Sequence, residues 1–365
     1  EPRRGKGKVR FRIDGMLHLV YELPDNVMTA MISRLKILGR MDVAEKRRPQ
    51  DGRIKTKAPS AREIELRLST MPTAFGEKLM LRIFDPDVLL RSFSQLGLVS
   101  EDYAHWQSMV QRAHGIVLVT GPTGSGKTTT LYSTLKQLAV DSVNVSTIED
   151  PIEMVVESFN QSQIQPAIEF DFAAGIRTLM RQDPDIIMVG EIRDRATAEM
   201  AVQAALTGHL VLSTLHTNDA PTAISRLLDL QMPAHLIKAT LNGVMAQRLV
   251  RTLCPECRKE VRCDPNDWHT LAGSAELAPP STLFQPAGCL ECRNTGYLGR
   301  EGIYEIMPLT NELLTYISTD SDIQSIRQAA IAQGMKTLRI AGAEKVAAGV
   351  TSMEEVLRVT PELGR

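Results

Sequence analysis

The sequence predicts an α/β fold built on a doubly wound parallel sheet, and three observations carry that prediction. Short apolar runs recur at Ile116–Val119, Val143–Ile148, Ile186–Val189 and Leu210–Ser213, with helical stretches between them. That is the βαβ succession of a sheet buried on both faces. A glycine-rich loop follows the first run, and acidic residues close the second and third. Ligand sites of such sheets lie outside the carboxyl ends of the strands.

Before this core, residues 1–90 read as an α+β domain. Val9–Ile13 has strand character, and Asp14-Gly15 supplies a turn. Asp25 to about Leu38 carries Val27, Met31, Leu35 and Leu38 at helical spacing, which predicts an amphipathic helix buried on those residues. Ile64, Leu66 and Leu68 alternate with Glu65 and Arg67, and Leu79, Leu81 and Ile83 with Met80 and Arg82. Both runs predict strands with one buried face. Asp85-Pro86-Asp87 and the stretch after it, through residues 91–100, read as a linker. The core then occupies 101–253. Residues 254–300 are turn-rich and bracketed by cysteine pairs. Residues 301–365 read as helical, with Ser352 and Glu355 as a capping box at the last helix.

The 365 residues, 43% hydrophobic and 23% charged, suit a soluble chain of two or three domains. No apolar run approaches the roughly 18 residues a membrane-spanning helix needs, so contact with a membrane is expected to go through a partner. The chain opens at Glu1 inside a strand pattern and reads as a fragment of a longer protein. The net charge of −1 is uneven. Residues 1–100 hold 20 Lys and Arg against 12 Asp and Glu, and the remainder holds 22 against 31. The basic front domain is open to two readings: it complements the acidic remainder, or it faces a polyanion, either a nucleotide or a nucleic acid.

Gly121-Pro122-Thr123-Gly124-Ser125-Gly126-Lys127-Thr128 fits the P-loop pattern, with Thr129 continuing into a helix. Glycines let the backbone curl so that amide N–H groups point at phosphate oxygens, and the following helix adds its positive end. Lys127 is expected to reach the β- and γ-phosphates of ATP, and the Thr128 hydroxyl to ligate Mg²⁺. Two acidic segments follow, Thr147-Ile148-Glu149-Asp150 and Val189-Gly190-Glu191-Ile192-Arg193. Glu191 is the first candidate to orient or activate water and Glu149 the second. His209 and His216 flank a further strand; by residue type alone each is either structural or functional.

Cys254-x-x-Cys257 and Cys289-x-x-Cys292 are separated by 31 residues. Each pair can bite a metal through a tight turn, and together they complete a tetrahedral four-sulfur set without an open position, the structural Zn²⁺ arrangement. Redox or disulfide use is the competing reading, and Cys263 is left as a free thiol.

Taken together, these segments resemble the secretion ATPase superfamily, most closely its type II secretion and type IV pilus-assembly branch. The resemblance rests on RLKILGRMDVAEKRRPQDGR at 34–53, GPTGSGKTTTLY at 121–132 and TIEDPIE at 147–153. It continues through RQDPDIIMVGEIRD at 181–194, TGHLVLSTLHTNDA at 207–220 and the cysteine pairs. It implies a RecA-like P-loop core behind a PAS-like N-terminal domain. TIEDPIE looks like an aspartate box, and GEIRD like a Walker B segment that makes Glu191 the catalytic carboxylate. TGHLVLSTLHTNDA looks like a histidine box, making His209 and His216 nucleotide sensors. Arg67 and Arg82 match front-domain arginines that reach the phosphates, and Arg177, Arg181 and Arg193 match core arginines that support the site or its interfaces. The resemblance also implies a cytoplasmic homohexamer docked, through an N-terminal domain not in this sequence, on inner-membrane platform and docking proteins. The cysteine pairs favour the secretion or extension side of the family over the retraction side.

Two readings from other classes compete. A nucleic-acid translocase would suit the basic front domain, but aromatic residues are only 4% of the chain, which leaves few stacking platforms for single strands. A nucleotide-binding switch without turnover is disfavoured by two well-placed glutamates and several arginines.

Overall fold

The apolar runs become strands of a mixed α/β molecule in the computed structural model, which describes residues 1–58, 63–84, 91–98, 100–273 and 277–361. The chain divides into two units, Glu1–Val88 and Leu89–Arg365. The linker expected at Asp85-Pro86-Asp87 lies outside the described residues.

In the first unit, β1 (Pro2–Arg3), β2 (Lys6–Ile13) and β3 (Met16–Pro24) form one antiparallel sheet. Asp14 and Gly15 both take positive φ in its hairpin turn, as an Asp-Gly pair favours. Helix α1 (Asp25–Leu38) follows. Strands β4 (Gln50–Lys57), β5 (Glu63–Thr73) and β6 (Gly76–Phe84) make a second antiparallel sheet.

The sequence mistook which stripe of α1 is buried. Met28, Ile32 and Lys36 point inward, one position on from the expected set, while Val27 and Leu38 are exposed. The reason is Lys36. Its ammonium is buried because Glu77 of β6 meets it at 2.7 Å and the Glu45 carbonyl accepts from it at 2.7 Å. A charged residue thus completes an apolar stripe that hydropathy alone displaced. The buried faces expected on β5 and β6 are also only partly realised: Leu68 of β5 is buried, but Leu81 and Ile83 of β6 are exposed in this chain.

In the second unit, α2 (Phe93–Leu96) and α3 (Ser100–Val110) precede the sheet. The expected linker at 91–100 therefore holds a helix, with a Ser92–Gln95 capping box and buried Phe93 and Leu96. The sheet strands are β7 (Gly115–Thr120), β8 (Val145–Glu149), β9 (Asn160–Gln163), β10 (Ile186–Val189), β11 (Leu210–Leu215), β12 (Leu241–Leu253) and β15 (Tyr297–Pro308). Their order is β15-β12-β7-β11-β10-β8-β9, with β12 through β9 parallel and β15 antiparallel on one edge.

Between the strands lie α4 (Lys127–Leu138), α5 (Phe172–Leu179), α6 (Arg195–Leu206), α7 (Ala220–Asp229) and α8 (Ala234–Thr240). Alternate residues of β7 enter different cores: Ile116 and Leu118 one, Val117 and Val119 the other. A strand whose two faces are both covered must read as a continuous apolar run, which is why the sequence disclosed it.

Beyond β12 come β13 (Lys259–Arg262), α9 (Pro265–Ala272) and β14 (Thr282–Gln285), and after β15 the helices α10 (Asn311–Thr315), α11 (Ile323–Ala332), α12 (Leu338–Ala347) and α13 (Met353–Val359). The region expected to be helical from 301 thus begins as core strand. At α13, Ser352 caps the Glu355 N–H at 3.3 Å as expected. The Glu355 carboxylate does not complete a capping box; it is buried against Arg251 and Arg358 instead.

Because Lys36 and Glu77 are buried together, losing one strands the other. Glu77→Ala should cost about 3–5 kcal/mol, whereas a Lys36→Met, Glu77→Leu double variant should recover most of the loss. Denaturant unfolding followed by a front-unit probe measures this, and a single variant as stable as the parent would refute the pairing.

Candidate functional site

The P-loop leaves the carboxyl end of β7. Gly121, Gly124 and Gly126 take φ of +148°, +79° and +90°, and Gly126 caps α4. The first and last have a further reason to be glycine. A Cβ on Gly121 would come within 2.5 Å of the Gln247 carbonyl, and one on Gly126 within 2.7 Å of the Gln247 side-chain amide. Pro122, Thr123 and Gly124 are exposed, while Thr128 and Thr129 lie half-buried in the first turn of α4.

Lys127 folds back on its own loop, donating to the carbonyls of Gly121 at 2.7 Å and Pro122 at 3.1 Å. Burial, with a smaller contribution from nearby Arg248, holds its pKa down to about 8, although Glu191 pulls the other way. The Ser125 hydroxyl is buried without a protein partner, consistent with a loop shaped to receive polar ligand atoms. The Thr128 hydroxyl and Glu191 carboxylate are hard oxygen donors of the type Mg²⁺ prefers.

The parallel sheet brings the expected acids to the same edge. Gly190 ends β10 and places Glu191 beside the tip of β11. There His216 Nε2 lies 3.3 Å from one carboxylate oxygen and Arg193 pairs with the other. Glu191 keeps slight solvent access, at 13% side-chain exposure. Glu149 is placed differently. Its oxygens accept from the Tyr132 hydroxyl at 2.6 Å, the Thr147 hydroxyl at 2.6 Å and the Gln161 amide at 3.1 Å, and it is buried. Burial and this carboxylate together push the Tyr132 hydroxyl pKa upward. Glu149 is therefore committed to a protein network, whereas Glu191 faces polar partners at an accessible edge.

Three expected residues are not brought to the loop. His209 precedes β11, its carbonyl bonded to Gly115 at the start of β7 and its ring Nδ1 2.9 Å from the Ala204 carbonyl. Arg177 and Arg181 are exposed at the end of α5, on the approach to the start of β10. His209 lies at the amino edge of the sheet, and Arg181 lies just before Gln182 and Asp183, whose carbonyls accept from Asn144 ahead of β8.

Two residues that the sequence did not single out support the loop. Gln247 of β12 accepts from the Thr130 hydroxyl at 2.8 Å. Arg248, buried beside it, donates to the Asn218 carbonyl at 2.8 Å and so ties β12 to the turn after His216. Polar Gln-Arg within an apolar strand was the available signal. The Thr120 and Thr217 hydroxyls, 2.7 Å apart, make a second tie between β7 and that turn.

The four cysteine sulfurs all lie within 4.8 Å of one another, with Cys254–Cys289 and Cys257–Cys292 at 3.8 Å and Cys289–Cys292 at 3.7 Å. A tetrahedron with arms of about 2.3 Å has edges of roughly 3.8 Å, so the cluster fits Zn²⁺. These separations are far from a disulfide bond of about 2.05 Å. Burial raises the Cys292 pKa, but N–H donors from Cys289 and Gly296, each 3.2 Å from its sulfur, outweigh it and bring it down to about 6. Cys263 is buried outside the cluster.

Residues 1–358 match the Type II/IV secretion system protein family. The chain is 61% identical over 361 residues to a type IV pilus assembly ATPase, TfpB, of Acinetobacter baylyi. The match covers 99% of this chain and 62% of that protein. It is 47% identical over 354 residues to the type II secretion system protein E of Pseudomonas aeruginosa, covering 97% of this chain and 70% of that one. The chain thus spans about 62% of the length of the first relative. Among solved structures, the Legionella pneumophila ATPase DotB superposes with a TM-score of 0.69 at 21% identity, covering 97% of this chain and 91% of that one. The pilus retraction motor PilT with bound ADP superposes at 0.64 and 24% identity, covering 97% and 90%. These likenesses bear on fold: a P-loop ATPase core.

Two measurements test the site. At pH 8 about half of Lys127 is neutral in the free protein, and triphosphate contact restores its charge. Nucleotide binding should therefore take up roughly half a proton per site near pH 8, and affinity should fall as pH rises from 7 to 9. Calorimetry in buffers of different ionisation enthalpy reads the uptake; zero uptake would contradict the depressed lysine. The cluster should carry about one zinc per chain. Elemental analysis checks it, and zinc unchanged in Cys289→Ser would exclude the four-sulfur site.

Proposed function

Because the chain belongs to the Type II/IV secretion system protein family, we propose that it hydrolyses ATP to drive assembly of a pilus or pseudopilus. The observation that carries the chemical part is the placement of Glu191 at the P-loop edge, bracketed by His216 at 3.3 Å and by Arg193.

Lys127 exchanges its two carbonyl contacts for β- and γ-phosphate oxygens, and loop N–H groups take the remaining charge. Thr128 would hold Mg²⁺, whose charge screens the phosphates. Glu191 accepts a proton from water as that water's oxygen bonds to the γ-phosphorus and the bond to the β-phosphate oxygen breaks. His216 and Arg193 fix the carboxylate's orientation, and His216 reports the nucleotide state to the turn at 217–219. Glu149 positions rather than reacts, holding Tyr132 of α4 against β8. Arg67 and Arg82 supply further positive charge to the phosphates.

Arg177 on α5, Arg181 after it and His209 at the start of β11 serve contacts with a second copy in a homohexameric ring. The ring works in the cytoplasm, against inner-membrane platform and docking proteins. No helix among the described residues is long and apolar enough to cross a membrane, in keeping with attachment through partners.

Lys127→Ala should abolish ATP binding. Glu191→Gln should keep binding and lose at least about 100-fold in turnover; hydrolysis at the parent rate would reject Glu191 as the base. Arg67→Ala and Arg82→Ala should each slow hydrolysis at saturating ATP by at least about tenfold, a conservative fraction of the arginine-finger range, with melting temperature unchanged. Normal rates in both, in an assembled and active preparation, would remove the front-domain arginines from the reaction.

A further inference from the structure

The register of the second front-unit sheet brings forward a residue from a strand that the sequence did not disclose. Arg53 of β4 stands opposite Arg67 of β5, and Arg67 stands opposite Arg82 of β6. One guanidinium from each of three neighbouring strands therefore shares one face. Strands lie about 4.8 Å apart, so the stems of the outer two are roughly 10 Å apart.

Like charges directly opposite one another destabilise a sheet. The middle side chain is held in place: Glu65 meets Arg67 at 3.3 Å, and the Phe84 ring lies beneath its guanidinium at 4.1 Å. Arg53 and Arg82, on the outer strands, are exposed. Along the same face, the next rung toward the Phe84 end of β6 carries Lys55 opposite Glu65, and the rung on the other side carries Asp51 opposite Ser69. Positive charge is thus concentrated on a single rung, and each neighbouring rung carries an acid, Glu65 on one side and Asp51 on the other. Arginine suits this role because its planar fork meets phosphate oxygens in pairs, whereas lysine offers a point charge.

We propose that Arg53, Arg67 and Arg82 form one phosphate-binding row and that Arg53 is a third arginine contacting the triphosphate of the nucleotide. The proposal rests on the reading that Arg67 and Arg82 serve the nucleotide, and it adds β4 to that machinery.

The test uses the full chain in its assembled, active form, with Arg53→Ala, Arg53→Lys, and Lys55→Ala as the control one rung away. Arg53→Ala should lower kcat/KM for ATP by roughly tenfold, the scale of one lost charge-assisted hydrogen bond. It should also weaken the salt dependence of KM. Arg53→Lys should fall between the alanine variant and the parent, and Lys55→Ala should stay within about twofold of the parent, as a solvated surface charge would.

If Arg53→Ala lowers the melting temperature, the lysine variant decides: reduced kcat/KM with an intact fold supports the row, and parent kinetics overturn it. Parent kinetics in Arg53→Ala, alongside slowed Arg67→Ala and Arg82→Ala, would overturn the role of Arg53 and leave the earlier reading standing. Parent kinetics in all three would overturn both. Unchanged ATP kinetics together with lost binding to phosphatidylglycerol vesicles or to an oligonucleotide would assign the row to another phosphate source and overturn the proposal.

Discussion

The parallel alignment of β8, β10, β11 and β7 is the constraint on which the rest of the site depends. Parallel strands all release their chains at one edge, so residues distant in sequence meet there without any loop having to be long. The P-loop leaves β7, Glu149 ends β8, Glu191 follows β10 and His216 follows β11. The alignment is held by burial on both faces, with Ile187, Val211 and Leu118 wholly excluded from solvent. At roughly 25 cal/mol for each Å² of apolar surface removed from water, such strands bind their register tightly. The edge they create can therefore carry positive-φ glycines and buried polar groups. The Thr120–Thr217 hydroxyl pair and the Arg248–Asn218 bond then fasten the turn after His216 to the strands that carry the loop.

Charge shapes the same edge. Lys127 sits among its own loop's carbonyls, partly desolvated and near Arg248, in a position that favours losing its proton. An anion arriving beside it would favour the charged form by Coulombic attraction while leaving the ammonium desolvated. The loop is already folded in the free chain, with its glycines at positive φ and its lysine tied to two of its own carbonyls. Preorganisation of this kind lowers the ordering cost of binding.

What the sequence disclosed, and what it did not, divides along the same physical line. The four parallel strands, the P-loop, the acid Glu191 at a strand end, and the cysteine cluster were all legible. Each depends on local pattern: a strand covered on both faces is continuously apolar, and phosphate or metal chemistry needs fixed residue types at short spacing. Features set by long-range pairing were not legible. The stripe of α1 was displaced because Lys36 is buried by Glu77, forty-one positions away. Strand β15 was hidden because it carries Gly299, Arg300 and Glu301 among its apolar residues. Gln247 and Arg248 were passed over because nothing adjacent to them marks the loop they support. The placement of His209 is the sharpest instance. It lies seven residues from His216 in one motif, yet the strand between them carries the two to opposite edges.

That separation limits which residues of one core can meet the same ligand. β11 has six residues, so its ends are about 20 Å apart. His209, at the start of β11, is therefore held away from the P-loop edge of its own core, and a sheet buried on both faces does not bend to bring its edges together. The carboxyl edge holds the P-loop, Glu191 and His216, and the amino edge holds His209, so one strand of six residues keeps the two ends of a single sequence motif apart.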